Sequence, residues 1–175
     1  LLKKLGIYEN TLMFFTSDNG AAKRFDGIHN SCGVMQGHKR SLNEGGIRVP
    51  MVVRWPGKIK AGTESNQPWY FPDVMPTLAE IAGVSSEVPK DIDGISVLPT
   101  LLGKGEQKQH EYMYWQYGVR AVRSGKWKGI GKGGHLYLYD LTKDMAEKND
   151  LSSKHPEVAA RLKEYITIGY TEPRS

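Results

Sequence analysis

The pattern of apolar and polar residues predicts two strands near the start of the chain. An apolar, partly aromatic run at residues 11–16 ends in the polar turn 17–20, which predicts a fully buried strand that leads into a loop. A second strand is predicted at residues 50–55. The stretch between them, residues 20–46, is rich in Gly, Asn, Ser, Lys and His and has no periodicity, and long ordered loops of this kind are often functional.

A helix is predicted after residue 72. Asp73 is suited to cap its start and Gly83 to end it. The apolar residues between them recur at helical spacing and share one face, namely Val74, Leu78, Ile81 and Ala82. Residues 84–110 are rich in turn-forming residues and predict loops, so the first part of the chain is interpreted as α/β.

From Glu111 onward the pattern changes to short strand-like stretches separated by glycine, which is typical of an antiparallel meander. Four strands are predicted, at residues 112–115, 120–123, 126–128 and 136–139. Pro156 at a first helical position then predicts a final helix with an apolar stripe that includes Leu162 and Ile166. The change of pattern divides the chain into two predicted domains, 1–105 and 106–175.

Composition excludes several classes of protein. With 39% hydrophobic and 25% charged residues among 175, the chain is an ordinary globular sequence rather than a disordered one. Its longest apolar run, residues 12–15, is far shorter than the roughly 20 residues that a membrane span needs. A single cysteine, Cys32, excludes an internal disulfide, and the net charge of +5 is too spread out to favour a nucleic-acid partner.

Asp18 and Asn19 are candidate metal ligands. They follow the first predicted strand directly, at the usual ligand-binding edge of an open α/β sheet. A carboxylate beside an amide oxygen suits a hard cation such as Ca²⁺ or Mg²⁺. The alternative is that Asp-Asn-Gly forms an ordinary turn, and from this short motif alone the turn is favoured. Calcium takes about six or more oxygen ligands, which this stretch does not supply by itself.

Lys39 is a candidate for binding an anion, because it lies in a glycine-flanked loop just before the second strand. In the block that follows, the glycine pair Gly45 and Gly46 permits a close backbone approach, and Glu44 and Arg48 are spaced to pair and hold the loop. The alternative is a solvated basic loop.

Two further features are candidates for substrate contact. His38 adjoins Lys39, whereas the other four histidines are scattered without metal-ligand spacing. A group of cations surrounds Trp127 in the predicted meander: Arg120, Arg123, Lys126, Lys128 and Lys132. Trp127 could stack on a sugar beside them. Strand alternation, however, places Trp127 opposite its flanking lysines. This favours solvated lysines and a buried, structural Trp127 that packs on the final helix near Leu162 or Ile166.

Together these blocks resemble the C-terminal part of a type I sulfatase, an arylsulfatase-like family. The resemblance rests on residues 16–20, on Lys39 and on residues 44–50, and weaker matches extend it over nearly the whole chain: residues 54–59, 76–78, 93–94, 122–128 and 138–141. It implies that residues 1–105 are the C-terminal part of an alkaline-phosphatase-like α/β sulfatase domain. Residues 106–175 would then be a small antiparallel sheet with a packing helix.

The resemblance also implies a function, the hydrolysis of sulfate esters by a calcium-dependent sulfatase (a sulfuric ester hydrolase). Asp18 and Asn19 match ligands of the active-site calcium, with Mg²⁺ less expected. Lys39 matches the catalytic lysine that contacts the sulfate group, with His38 beside it. The family's nucleophile is a formylglycine made from Cys or Ser in a motif that residues 32–36 do not fit. We therefore expect the nucleophile upstream and no activity from this chain alone.

The chain begins without an initiator Met or a signal-peptide pattern, so we expect it to belong to a longer protein whose catalytic domain starts upstream. The resemblance implies a periplasmic or secreted location, a sulfated small molecule or glycan as substrate, no nucleic-acid partner and no membrane span. Two alternatives remain open. One is a phosphonate or phosphodiester hydrolase of the alkaline-phosphatase superfamily, and the other is a non-catalytic polyanion-binding module built on residues 120–132.

Overall fold

The computed structural model describes residues 1–25 and 27–172. In these residues six strands and four helices form, joined by loops and short 3-10 turns: β1 (Met13–Thr16), α1 (Glu44–Ile47), β2 (Met51–Arg54), α2 (Val74–Ala82), α3 (Leu98–Leu102), β3 (Met113–Tyr117), β4 (Val119–Ser124), β5 (Trp127–Lys132), β6 (His135–Asp140) and α4 (Pro156–Ile168). None of these helices is long and apolar enough to cross a lipid bilayer.

The chain folds as two compact units that do not follow the sequence in order. The first unit combines Leu1–Thr16 with Pro50–His110, and the second combines Ser17–Val49 with the chain from Glu111 onward. The long loop that follows β1 therefore packs with the C-terminal part of the chain. The predicted domains, 1–105 and 106–175, are expected as parts of a longer sulfatase, and this division stays a prediction.

In the first unit, β1 and β2 form an antiparallel pair in which Phe14 lies opposite Val53 and Phe15 opposite Val52. Phe14 is half-buried, but Phe15 is 70% exposed and Val52 is 61% exposed. The prediction of a fully buried strand is therefore wrong for this chain. Within the described residues β1 pairs with one strand, and that strand pair is covered on one of its two faces.

Helix α2 begins and ends close to its predicted bounds. Gly83 follows it in the left-handed conformation, with a φ of 73°, and so ends the helix as expected. The predicted apolar face is only partly covered, since Leu78 is 43% exposed. Thr77 is instead fully buried, and its hydroxyl is satisfied there, since it donates to the Asp73 carbonyl at 2.6 Å and accepts the Val97 N–H at 3.0 Å.

Asp73 does not cap α2 with its side chain, contrary to the prediction. Its buried carboxylate accepts the backbone N–H of Tyr70 at 2.9 Å and of Ile95 at 2.8 Å. His110 Nε2 lies 2.9 Å from the same carboxylate. Asp73 therefore joins three separate segments of the first unit, a role that local helix signals do not reveal.

In the second unit, β3 to β6 form an antiparallel meander in sequence order, which confirms the predicted strands. Helix α4 packs on one face through Leu162, which is fully buried against Val122 and Leu138. Gly129 of β5 leaves room for this helix, because a Cβ there would lie 3.1 Å from Leu162 Cδ2. The predicted final helix and its apolar stripe are confirmed.

The alternate residues of the sheet face a different partner, the loop of residues 36–48. Leu42 from this loop is buried with Ala121 of β4 and Ile130 of β5. Successive residues of a strand point to opposite faces, so α4 and the loop cover opposite sides of the same sheet. The loop that carries Lys39 is therefore built on the C-terminal sheet.

Trp127 packs on the cluster around Leu162 as predicted, with its ring 4.9 Å from that of His155. It is half-buried, however, and not buried as the sequence predicts. The prediction that its flanking lysines are solvated holds for Lys126, which is 46% exposed. It is wrong for Lys128, whose side chain is fully buried. Lys128 shares its face of β5 with Ile130 and points into the contact with the loop.

Candidate functional site

The turn with Asp18 and Asn19 is anchored to helix α1. Ser17 Oγ donates to the Asn19 carbonyl at 2.9 Å, and the Gly20 N–H donates to the Gly46 carbonyl at 2.9 Å. A Cβ at position 20 would lie 1.8 Å from the Gly45 carbonyl oxygen, so glycine is required for this approach. The turn is thus held against the first residues of a short helix.

Asn19 has an unusual side chain within this turn. Its Oδ1 is buried and has no hydrogen-bond partner among the described residues. A buried acceptor without a partner costs about 1–3 kcal/mol, and a cation bound there would remove that cost. Asp18 beside it is exposed. An amide oxygen and a carboxylate are oxygen donors that fit Ca²⁺.

These two residues do not complete a metal site. Across residues 1–25 and 27–172, no group of three or more His, Cys, Asp or Glu side chains is placed to hold a metal ion. Calcium takes about six to eight oxygen ligands. Because the described residues offer no such cluster, the remaining ligands of a bound calcium ion would have to be water, backbone oxygens or groups from elsewhere in the protein.

The loop with Lys39 runs alongside this turn. The Lys39 N–H donates to the Ala21 carbonyl at 2.8 Å, two residues beyond Asn19. The Lys39 side chain is exposed, and His38 Nδ1 lies 3.1 Å from the Lys39 carbonyl oxygen. The structure therefore brings the four sequence-predicted site residues onto two adjoining backbone segments.

Helix α1 sets the position of both segments. Gly45 donates its N–H to the Gln36 carbonyl at 2.7 Å, and a Cβ on Gly46 would lie 2.1 Å from the Ser41 carbonyl oxygen. The close approach predicted from the glycine pair is confirmed. The predicted ion pair is also present, with Arg48 Nε 2.9 Å from Glu44 Oε2.

Two residues that sequence reasoning did not assign to the site complete this arrangement. Lys128 Nζ lies 2.8 Å from Glu44 Oε1 and 2.9 Å from Glu147 Oε1. Glu147 Oε2 accepts the Glu44 N–H at 2.7 Å. Neither residue has a local signal in the sequence. Strand alternation places Lys128 on the same face as Lys126, which is exposed. The φ of 52° of Glu147 and its contact arise from the tertiary structure.

Opposing effects set the ionisation of Glu44. Burial by itself raises the pKa of its carboxyl. The positive charges and hydrogen bonds of Lys128 and Arg48 outweigh burial, so the pKa is lower than usual and Glu44 is a carboxylate at neutral pH.

The cations around Trp127 do not form a continuous charged surface. Lys128 is internal, and Lys126 Nζ pairs with Asp140 at 2.8 Å. The Arg120 guanidinium lies over the Tyr170 ring at 3.9 Å from its centroid. The polyanion-binding alternative gains no support from this arrangement, because several of the cations are already paired within the chain.

The fold and the site define a class. The turn with Asp18 and Asn19 follows a strand and lies beside the loop with Lys39 and helix α1. The antiparallel meander β3–β6, with α4 on its other face, carries that loop. Residues 36–169 match the family model described as N-sulphoglucosamine sulphohydrolase, C-terminal. The chain therefore belongs to the sulfatase family, of which it contains a C-terminal portion.

Individual relatives agree with this assignment. The chain is 33% identical to mouse (Mus musculus) steryl-sulfatase over 94% of its length and 32% of that protein. It is 34% identical to the N-acetylgalactosamine-6-O-sulfatase of Bacteroides thetaiotaomicron, over 94% of this chain and 37% of that protein. The chain thus spans about a third of the length of these curated relatives.

Solved structures give the same result. One, described under metabolism of multiple glycosaminoglycans by Bacteroides thetaiotaomicron, has a TM-score of 0.82 and 32% identity, over 96% of this chain and 40% of that one. Another, BT4656 in complex with its substrate D-glucosamine-2-N,6-O-disulfate, has a TM-score of 0.74 and 26% identity, over 96% and 35%. The α/β fold class with a C-terminal antiparallel sheet is therefore that of sulfatases.

Proposed function

We propose that this chain is the C-terminal part of a calcium-dependent sulfatase that hydrolyses sulfate esters. The observation that supports the proposal best is the adjacency of two segments. The Lys39 N–H donates to Ala21, next to the turn that contains Asp18 and Asn19. A metal-binding turn beside an exposed lysine is what a sulfate ester requires, because its oxygens carry the charge that both groups stabilise.

Each candidate residue has a distinct role in this proposal. Asp18 and Asn19 would hold the cation, with the buried Oδ1 of Asn19 as one ligand. The cation, when bound, supplies charge stabilisation at the sulfate group. Lys39 would contact the sulfate oxygens as a point charge, and His38 would line the same loop. The formylglycine nucleophile is expected upstream of residue 1.

For the substrate we propose a sulfated carbohydrate. Support comes from the relative that acts on N-acetylgalactosamine 6-O-sulfate by its name and from the solved structure with a glucosamine disulfate. A smaller sulfated molecule is the alternative, favoured by the similarity to steryl-sulfatase. We also propose a periplasmic or secreted location.

The test is an assay of the full-length protein. It should release sulfate from an aryl sulfate or a sulfated monosaccharide, lose that activity with a chelator and regain it with added Ca²⁺. Asp18→Ala should raise the calcium concentration needed for activity. Hydrolysis of a phosphodiester or phosphonate without hydrolysis of any sulfate ester would overturn the proposal and favour the related superfamily hydrolase.

A further inference from the structure

We propose that Lys128 and Glu147 are positioning residues for the sulfatase site. Their buried contacts with Glu44 hold the loop that carries Lys39 and, through helix α1, the turn with Asp18 and Asn19. This inference rests on the proposed function for its catalytic consequence, but its structural part can be tested separately.

The first argument is the burial of a full charge. The Lys128 side chain has no exposed surface, and the side chains of Glu44 and Glu147 are 3% and 0% exposed. Moving an ion out of water is costly, and replacing a buried ion pair by apolar side chains is often neutral or stabilising. Stability alone therefore does not account for three charged groups between the sheet and the loop.

The second argument is that Glu147 contacts both ends of the segment between residues 36 and 44. Its Oε2 accepts the Glu44 N–H at 2.7 Å, and its carbonyl accepts from Gln36 Nε2 at 3.3 Å. Gln36 in turn accepts the Gly45 N–H at 2.7 Å. Glu147 thus binds the two ends of the loop that carries Lys39.

The third argument is the short path from Glu44 to the metal-binding turn. Glu44 is the first residue of α1, and two residues later the Gly46 carbonyl accepts the Gly20 N–H. Gly20 follows Asn19 directly. A shift of α1 would therefore move Asn19, whereas Lys39 would move with the loop itself.

The charges explain why Lys128 matters most. Glu44 and Glu147 are two carboxylates that contact one ammonium, and Arg48 pairs with the second oxygen of Glu44, Oε2. Without Lys128 the carboxylates would repel each other across a desolvated gap. We expect this repulsion to separate the base of the loop from the sheet.

The experiment compares three variants of the full-length protein. Lys128→Met removes the charge and keeps most of the volume. Gln36→Ala removes only the contact with the Glu147 carbonyl and, at an exposed position, is the variant expected to fold in any case. Lys126→Met is the matched control, a lysine two residues away whose partner is Asp140. Each variant is measured by hydrogen exchange of residues 18–22 and 36–47 and by kcat and KM.

Lys128→Met should speed exchange in both segments and leave the β1–β2 pair unchanged. It should lower kcat/KM on the order of 100-fold, the size expected when catalytic groups move by about 1 Å. Gln36→Ala should also speed exchange in both segments and lower kcat/KM, but by smaller amounts than Lys128→Met. Lys126→Met removes the ion pair with Asp140 but should leave hydrogen exchange in both segments and kcat/KM as in the wild type.

Three results would overturn the inference: unchanged exchange in both segments, faster exchange across the whole protein, or unchanged kcat/KM at a temperature where the variant is folded. If Lys128→Met does not fold, Gln36→Ala decides by the same criteria. If the wild-type protein hydrolyses no sulfate ester, the proposed function fails, and the exchange data alone decide whether Lys128 and Glu147 hold the loop.

Discussion

At the scale of single residues, Lys39 and Asn19 bring different groups to the candidate site, a positive charge and a buried neutral oxygen. Lys39 presents its ammonium to solvent from a loop that is held at its base. Asn19 presents an amide oxygen that lacks a partner among the described residues. A charge that faces the reacting group contributes more to the transition state than one of several ligands of a metal ion.

Lys39→Ala should therefore impair the full-length enzyme more than Asn19→Ala. We expect Lys39→Ala to cost about 3–4 kcal/mol of transition-state stabilisation, the size of a lost oxyanion donor. The measurement is kcat/KM on a sulfate ester, with Lys23→Ala as the control because this exposed lysine lies in the same long loop. Wild-type activity of Lys39→Ala would remove Lys39 from the site.

Asp140 should make stability depend on pH in acid. Hydrogen bonds from Lys126 and Thr142 lower the pKa of its carboxyl from 3.8 to about 2. A pKa that is lower in the folded state contributes stability above the unfolded value, and this contribution is lost as pH falls from about 4 to 2. In denaturant unfolding over that range, the wild type should lose more stability than Asp140→Asn. The exposed Asp91→Asn should follow the wild type, and a parallel loss in Asp140→Asn would contradict the assignment.

At the scale of elements, Leu162 is the side chain through which α4 stabilises the sheet most. Leu162 is fully buried between α4 and the strands, whereas Trp127 lies half-buried at the edge of the same cluster. Gly129 and Gly131 on the sheet face admit the helix closely. The strength of this contact should appear in the free energy of unfolding.

Leu162→Ala should lower the free energy of unfolding by about 3–5 kcal/mol, as expected for a buried leucine. Trp127→Ala should lower it less, because half-exposed side chains lose less burial and leave no closed cavity. Chemical denaturation followed by circular dichroism measures both. The exposed Lys163→Ala on the same helix is the control, and a larger effect at Trp127 than at Leu162 would show that the aromatic ring is the main contact.

The elements that the sequence predicts well are those with local signals. Glycine turns and alternation predict the meander, and Pro156 with its apolar stripe predicts α4. The burial of Lys128 and the role of Asp73 depend on partners far along the chain, which no local pattern encodes. For the site, the glycine pair and the Glu44–Arg48 spacing predict the geometry of α1. The ion pairs to Glu147 could not be predicted, because they depend on tertiary contacts.

At the scale of the whole molecule, the residues of the proposed site supply only part of what sulfate ester hydrolysis requires. Under the proposed function Asp18, Asn19, Lys39 and His38 would stabilise charge, and none of them is a nucleophile of the family type. The described residues hold no group of three or more His, Cys, Asp or Glu side chains that is placed to bind a metal ion. Under the proposed function, the nucleophile and the remaining metal ligands are therefore expected from the rest of the protein.

The purified 175-residue chain should show no sulfatase turnover. In the proposed site its candidate residues would stabilise a sulfate group but not attack it, and calcium binding should be weak because most ligands would be water. A chromogenic aryl sulfate with added Ca²⁺ is the substrate for this assay, and the full-length protein is the positive control. Calcium-dependent multiple turnover by the chain alone would refute the prediction.

The division of the chain into interleaved units has a consequence for engineering. Because Ser17–Val49 and the chain from Glu111 onward form one unit, the C-terminal sheet is not an exchangeable module. A chimera of two sulfatases joined once near residue 110 would place the loop of one parent on the sheet of the other. Chimeras should fold more often when residues 17–49 and the chain from Glu111 onward come from the same parent. Such chimeras need additional crossovers on both sides of residues 17–49.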